Sequence, residues 1–201
     1  MMIQETLKKL DTDEAGKLME TLYGAAHAEE NKARCRHVAE GFLKEYGDGD
    51  VLLFSSPGRT EISGNHTDHN HGKVLAGSIN LDCVGAAAKN GTDTVRILSE
   101  TFHQKFIINL KDLKPSREMA GTIDLTKGIL QGFKERGFEI GGFDAFITSN
   151  VISSAGVSSS ASYEMLICAM LNTFFNDGRM NVVDYAHIRP DGLRGGRPDY
   201  H

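Results

Sequence analysis

The apolar residues in the first quarter of the chain recur at the three- and four-residue spacing of an amphipathic helix. Leu18 and Leu22 follow this spacing, and Val38 and Phe42 follow it again farther along. Charged residues are interspersed among them. The pattern predicts helical structure from about residue 14 to residue 46.

Shorter apolar runs in the rest of the chain predict strands that alternate with helices. VLLFSSPGR predicts a buried strand ending at Pro57-Gly58, and CVGAAAKN and TVRILSE predict two strands joined through NGTD into a hairpin. KFIINL and FDAFITSN predict two more. TIDLTKGILQGFKERG predicts an amphipathic helix closed by Gly137, and VISSAGVSSSASYEMLICAMLNTFF predicts a loop followed by a helix. This mixed order indicates an α+β fold.

Composition and charge narrow the class of protein. The 201 residues carry a formal net charge of −5, and the basic residues are scattered, so we expect no nucleic-acid partner. The apolar runs are too short to span a membrane, and the polar, acidic start is unlike a signal peptide. Three widely spaced cysteines favour a reducing cytoplasm, and Cys83 and Cys168 are expected to be small buried hydrophobes.

The segment GNHTDHNHG contains several side chains that could bind a metal, namely His66, Asp68, His69 and His71. A zinc site usually takes ligands from a second cluster of cysteine or histidine as well. The chain has no such second cluster, and this spacing matches no common zinc pattern. The remaining interpretations are a polar surface loop and recognition of another kind of ligand.

A second segment, SSAGVSSSASYE, predicts a loop of small residues that leads directly into a helix. A helix N-terminus presents free backbone N–H groups and the positive end of the helix dipole, so it can bind phosphate. Ser158, Ser159 and Ser160 could donate hydrogen bonds to phosphate oxygens or bind a magnesium ion. Taken alone, the segment favours an ordinary serine N-cap followed by a buried helix.

Together the two segments resemble the motifs of one enzyme family. PGRTEISGNHTDHNHGKVLAGSINLD resembles the galactokinase substrate motif G-R-x-N-x-I-G-E-H-T-D-Y-x-x-G-x-V-L. NVISSAGVSSSASYE resembles N-V-P-x-G-A-G-L-S-S-S-A-S, the phosphate loop of the wider GHMP superfamily, which also includes homoserine, mevalonate and phosphomevalonate kinases. The first motif is matched at Gly58, Arg59, Gly64, His66, Thr67, Asp68, Gly72, Val74 and Leu75.

The resemblance extends from the helical N-terminus to about residue 188 and implies both a fold and a reaction. The implied fold is the N-terminal domain of a GHMP kinase, with a mixed β-sheet and packed helices. The implied reaction transfers the γ-phosphate of ATP, with Mg²⁺, to the anomeric hydroxyl of galactose. The residues this implies are Asn65, His66 and Asp68 for the sugar, Arg59 for transition-state charge, Gly156, Ser158, Ser159 and Ser160 for the ATP phosphates, and Ser160 for magnesium.

Several positions depart from the family pattern. Asn65 stands where glutamate is usual, which leaves the identity of the sugar open because this position contacts a substrate hydroxyl. Glu61 and Ser63 replace the usual asparagine and isoleucine, and Ile152 and Ser154 replace a proline and a glycine of the phosphate loop. Two alternatives therefore stand beside galactokinase. One is a kinase for another sugar, such as an N-acetylated galactose or a pentose, and the other is a sensor that binds sugar and nucleotide without turnover.

The end of the sequence departs further. The motif C-G-x-M-D-Q, which supplies the family's catalytic aspartate, is absent, so we expect the chain to be an inactive N-terminal part of a kinase. This part covers residues 1–188, with the sugar motif at 57–75 and the phosphate loop and helix at 150–176. Residues 189–201 are polar and predict a disordered or frameshifted tail. The family often continues Gly-Gln-x-Ala at this point. Inserting one C before GGC-CAG-ATG-GC gives CGG-CCA-GAT-GGC, which encodes the observed Arg-Pro-Asp-Gly.

Overall fold

The structure is a computed structural model that describes residues 2–64, 73, 75–114, 121–151 and 158–188. Within these ranges, helices cover both faces of one β-sheet. The helices are α1 (Ile3–Leu10), α2 (Asp13–Tyr23), α3 (Ala28–Tyr46), α4 (Thr122–Glu135), α5 (Ser159–Phe175) and α6 (Val182–His187). The strands are β1 (Leu52–Ser63), β2 (Leu75–Lys89), β3 (Thr94–Ser99), β4 (Gln104–Asn109) and β5 (Phe143–Ser149).

The five described strands form a mixed sheet in the order β1-β2-β5-β3-β4. The β3–β5 pair is parallel, and the other three pairs are antiparallel. This arrangement confirms the predicted α+β class with a mixed sheet and packed helices. It also leaves β1, the strand that begins the sugar motif, at one edge of the sheet.

Alternating residues of β2 point into two separate cores. Val84, Ala86 and Ala88 pack with residues of α1–α3 on one face, whereas Cys83 and Ala87 pack with residues of α4 and α5 on the other. A strand that is buried on both faces carries apolar residues without alternation. The uninterrupted apolar run in CVGAAAKN is therefore explained by two helical layers.

The N-terminal helical region is divided more finely than the periodicity predicts. Gly24 adopts φ +79° and ends α2, and a short 3₁₀ turn at Ala25–His27 leads into α3. Helix α1 was not predicted from the sequence. The helical spacing of Ile3, Leu7 and Leu10 could have predicted this helix. These residues pack into the core on the α1–α3 side of the sheet.

The predicted end of the first strand at Pro57-Gly58 is wrong, because β1 continues to Ser63. Proline cannot donate a hydrogen bond to a neighbouring strand, so it normally interrupts a central strand. Since β1 lies at the edge of the sheet, Pro57 is tolerated there. The pairing with β2 shifts register between Pro57 and Arg59, where two steps along β1 lie opposite four steps along β2, and β1 then continues.

The predicted hairpin between β2 and β3 is also wrong, because β5 lies between these two strands and pairs with both. The NGTD turn is present, but it spans across the start of β5. The Asn90 N–H donates to the Gly142 carbonyl at 3.2 Å. Gly142 is buried beneath the turn and has no side chain that would prevent this close approach.

Two further predictions, the glycine that closes α4 and the burial of two cysteines, agree with the structure. Helix α4 is followed by Gly137 at φ +76°, as predicted. Cys83 and Cys168 are buried, as expected, and Cys35 is buried as well. Burial raises the pKa of Cys35 to about 11 and that of Cys83 and Cys168 to about 12, so all three thiols are neutral at physiological pH. Within the described ranges, no helix is both long enough and apolar enough to cross a membrane.

Candidate functional site

Arg59 lies on β1, just beyond the register shift that follows Pro57, and pairs with Ser78 of β2. About half of its side-chain surface is exposed. Its Nη2 atom lies 3.4 Å from Oε1 of Glu61, two positions along the same strand. An exposed contact of this length is weak, so the guanidinium remains available to an anionic ligand.

The helix predicted to bind phosphate, α5, begins at Ser159, directly after a residue whose backbone is in the left-handed (αL) conformation. Ser158 occupies the N-cap position with φ +62° and ψ +48°, and its side chain caps no N–H of the helix. A left-handed conformation is uncommon for a residue other than glycine and carries an energetic cost. Ser158 and Ser159 are partly exposed and Ser160 is exposed, so their hydroxyls lie at the solvent-accessible start of α5.

A buried hydrogen bond joins this helix to the strand that carries Arg59. The Ser162 hydroxyl, in the first turn of α5, donates to the carbonyl of Ser56 at 2.7 Å. Ser56 precedes Arg59 by three residues, which is about 10 Å along a strand. The structure therefore places the start of α5, the helix predicted to bind phosphate, beside β1, which begins the predicted sugar motif, although the two are more than one hundred residues apart in sequence.

The same region contains a buried carboxylate. Asp82 of β2 is 2% exposed and accepts hydrogen bonds from Tyr23, Ser55 and Arg34. Burial, together with the bond to Asp82, raises the pKa of the Tyr23 hydroxyl, which stays protonated and acts as a donor.

Neither Ser162 nor Asp82 was among the residues predicted from the sequence. A signal for Asp82 was available, because a carboxylate inside an apolar strand is rarely buried without partners. Ser162 had no comparable signal, since small residues are common at the start of a helix.

The other predicted site residues, Asn65, His66, Asp68 and Gly156, lie outside the described residues, as do His69 and His71 of the histidine segment. Their roles therefore stay predictions. Among the residues that are described, no cluster of three or more His, Cys, Asp or Glu side chains is arranged to hold a metal ion.

We expect the histidine segment not to bind zinc tightly, because it has no second ligand cluster and no common zinc spacing. The measurement is the zinc content of the purified protein after dialysis, compared with that of a His69→Ala/His71→Ala double variant. Substoichiometric zinc in both proteins is the expected result. One equivalent of zinc that survives dialysis and disappears in the double variant would contradict it.

Comparison with known sequences identifies relatives of this chain. Residues 40–89 match the galactokinase galactose-binding signature. A galactokinase of Clostridium tetani is 34% identical over 154 residues, which are 77% of this chain and 39% of the relative. A galactokinase of Clostridium perfringens is 38% identical over 138 residues, 67% of this chain and 35% of the relative. The chain thus spans about two fifths of the length of the curated relatives it matches.

Comparison with solved structures agrees. The galactokinase of Lactococcus lactis, solved as a complex with galactose, superposes with a TM-score of 0.69 at 29% identity, over 74% of this chain and 39% of that one. The mevalonate kinase of Methanococcus jannaschii superposes with a TM-score of 0.59 at 17% identity, over 70% of this chain and 45% of that one, which shows the fold alone. By sequence and by fold, this chain matches the N-terminal part of galactokinases.

Proposed function

We propose that the full-length protein containing this chain transfers the γ-phosphate of ATP to the anomeric hydroxyl of galactose. The observation that carries the proposal is the Ser162–Ser56 hydrogen bond. It joins the helix of the serine-rich motif to β1, which lies within the galactose-binding signature. A kinase must hold its two substrates side by side, since phosphoryl transfer depends mainly on positioning and on stabilisation of charge.

The sugar is recognised by the segment that follows β1. In this proposal Asn65, His66 and Asp68 contact its hydroxyls, because a hydroxyl both donates and accepts and an ionised carboxylate can accept from two of them. Arg59 faces the transferring phosphate and offsets the negative charge that develops between donor and acceptor oxygens. The exposure of Arg59 and its weak contact with Glu61 support this role.

The ATP phosphates lie at the start of α5. The free N–H groups of the first turn, the small residue Gly156 and the hydroxyls of Ser158 and Ser159 hold them. Magnesium, when bound with ATP, neutralises phosphate charge. The exposed hydroxyl of Ser160 is chemically suited as one oxygen ligand beside phosphate and water oxygens. A helix N-terminus repels cations, so we expect the metal to arrive as the nucleotide complex.

The acceptor hydroxyl also needs a group that orients it and takes its proton. The family's C-G-x-M-D-Q motif does not occur in these 201 residues. We therefore propose that residues 1–188 supply the sugar-binding and phosphate-binding walls and that this chain alone has no turnover. Loss of a general base typically lowers the rate by about 10²–10⁴-fold. The neutral, buried thiols fit a reducing cytoplasm, which we propose as the location.

The test is a coupled assay of ATP-dependent phosphorylation of galactose. We expect activity from the full-length gene product and none above background from the 201-residue chain. The nucleotide sequence around codon 189 shows whether another frame continues into C-G-x-M-D-Q. Stop codons in both other frames just downstream, without that motif, would rule out the frameshift.

The same assay separates the two alternatives. A full-length protein that binds galactose and ATP but never forms sugar phosphate is a sensor and not a kinase. One that phosphorylates an N-acetylated galactose or a pentose in preference to galactose is a kinase of the same family with another substrate. Asn65, in place of the usual glutamate, is the observation that keeps this last alternative open.

A further inference from the structure

Asp82 lies where strands and helices of the proposed site meet. Its Oδ1 accepts from Nη2 of Arg34 in α3 at 2.7 Å, and its Oδ2 accepts from Tyr23 of α2 and from Ser55 of β1, each at 2.5 Å. Arg34 is itself largely buried and donates from Nη1 to Asn31 at 2.6 Å. Hydrogen bonds from several donors stabilise this buried charge. Because these bonds are directional, they fix the carboxylate and its partners in a way that packing alone would not.

The position of Asp82 connects both substrate motifs. In the sheet it pairs with Pro57, directly before the register shift that leads to Arg59. Its backbone carbonyl accepts from the N–H of Asn150 at 3.0 Å, just after the end of β5. Its side chain binds Ser55, and the next residue, Ser56, accepts the hydroxyl of Ser162 from α5.

We propose that Asp82 is a positioning residue that holds the β1 segment bearing Arg59 and the first turn of α5 in a fixed relation. It touches neither substrate and acts through Ser55 and through the backbone of Asn150. The consequence for catalysis rests on the proposed kinase function, but the mechanical role does not. Displacement of catalytic groups by about 1 Å can lower a rate about 100-fold, so a buried carboxylate outside the substrate site can control turnover.

A second buried aspartate, near the other end of β5, offers a matched control. Asp144 of β5 is also buried, accepts two bonds from Arg96 and one from Asn90, and pairs with Ala88 of β2. Ala88 lies six residues beyond Asp82, about 20 Å along the strand. The substitutions Asp82→Asn and Asp144→Asn therefore remove the same charge from the same sheet, each from a carboxylate bonded to an arginine, but near opposite ends of β5.

The first measurement is backbone hydrogen exchange of the full-length gene product, which needs no ligand. In Asp82→Asn we expect the amides of residues 55–63 and 159–163 to exchange at least about tenfold faster, relative to those of β3 and β4. Asp144→Asn should not raise this ratio, because the bonds that it removes hold Arg96 of the reference strand β3 and Asn90. Tyr23→Phe, which removes one donor and keeps the ring, should raise it in the same direction by less, and it remains usable if Asp82→Asn fails to fold.

An unchanged ratio in Asp82→Asn and in Tyr23→Phe would overturn the positioning role. Equally faster amide exchange across the whole sheet in both aspartate variants would overturn it too. The second measurement is kinetic. The variants are compared with the wild-type protein at temperatures at which all are equally stable. There Asp82→Asn should lose about tenfold in kcat with little change in KM for galactose, whereas Asp144→Asn should keep the wild-type kcat and KM. Faster local exchange with normal kcat would overturn the catalytic consequence. If the wild-type protein is no kinase, the proposed function fails and hydrogen exchange alone decides the mechanical role.

Discussion

Replacement of Asp68 by alanine is expected to abolish measurable sugar phosphorylation by the full-length protein. An ionised carboxylate that accepts two sugar hydroxyls makes charge-assisted bonds worth about 1.5–3 kcal/mol each. Removing it leaves those hydroxyls without their acceptor, and the sugar loses its orientation toward the phosphate. The measurement is kcat/KM for galactose and for variants of galactose at C2, C4 and C6.

Asn65 provides the comparison for this experiment. A neutral amide makes bonds of about 0.5–1.5 kcal/mol, so Asn65→Ala should weaken binding less than Asp68→Ala does. Asn65→Glu should shift preference toward unmodified galactose if the glutamate usual in the family recognises that sugar. If Asp68→Ala retained near-normal kcat/KM across the sugar panel, the segment GNHTDHNHG would not be the sugar-binding segment.

The substitution Gly142→Ala is expected to destabilise the fold by about 2–4 kcal/mol. A Cβ atom at this position would lie 2.1 Å from the Thr92 carbonyl oxygen, 2.5 Å from Oδ1 of Asn90 and 2.7 Å from the Thr94 carbonyl oxygen. Two of these atoms are backbone oxygens, one in the turn that crosses β5 and one at the start of β3, so no side-chain rotation relieves the contact. Chemical denaturation monitored by circular dichroism measures the change in the free energy of unfolding.

Gly16→Ala serves as the matched control for Gly142→Ala. Gly16 lies in α2, and a Cβ atom added there meets nothing within 4 Å. We expect this change to stabilise the protein by about 0.5–1 kcal/mol, because alanine loses less conformational freedom than glycine when a helix forms. Equal stability of the Gly142→Ala variant and the wild-type protein would show that the turn does not pack over β5 as described.

The sequence by itself determined the α+β class, most of the helices and strands, and the family. Periodicity of apolar residues identified α4, because a helix that packs against a sheet needs one apolar side whatever its partner. Helix α5 was predicted as the helix that follows the loop of small residues. The family motifs were readable because sugar and phosphate recognition places particular residue types next to one another along the chain. Arg59 and the serines of α5 could therefore be named before any geometry was known.

Only the tertiary structure decided which strands are neighbours and how the two motifs meet. NGTD is a turn in either arrangement, but the choice between a β2–β3 hairpin and an inserted β5 depends on the close packing of Gly142 beneath the turn. The bonds of Asp82 to Tyr23, Arg34 and Ser55, and that of Ser162 to Ser56, join residues far apart in the chain. Local periodicity of apolar residues does not predict such contacts, because they form only when the helices pack against the sheet.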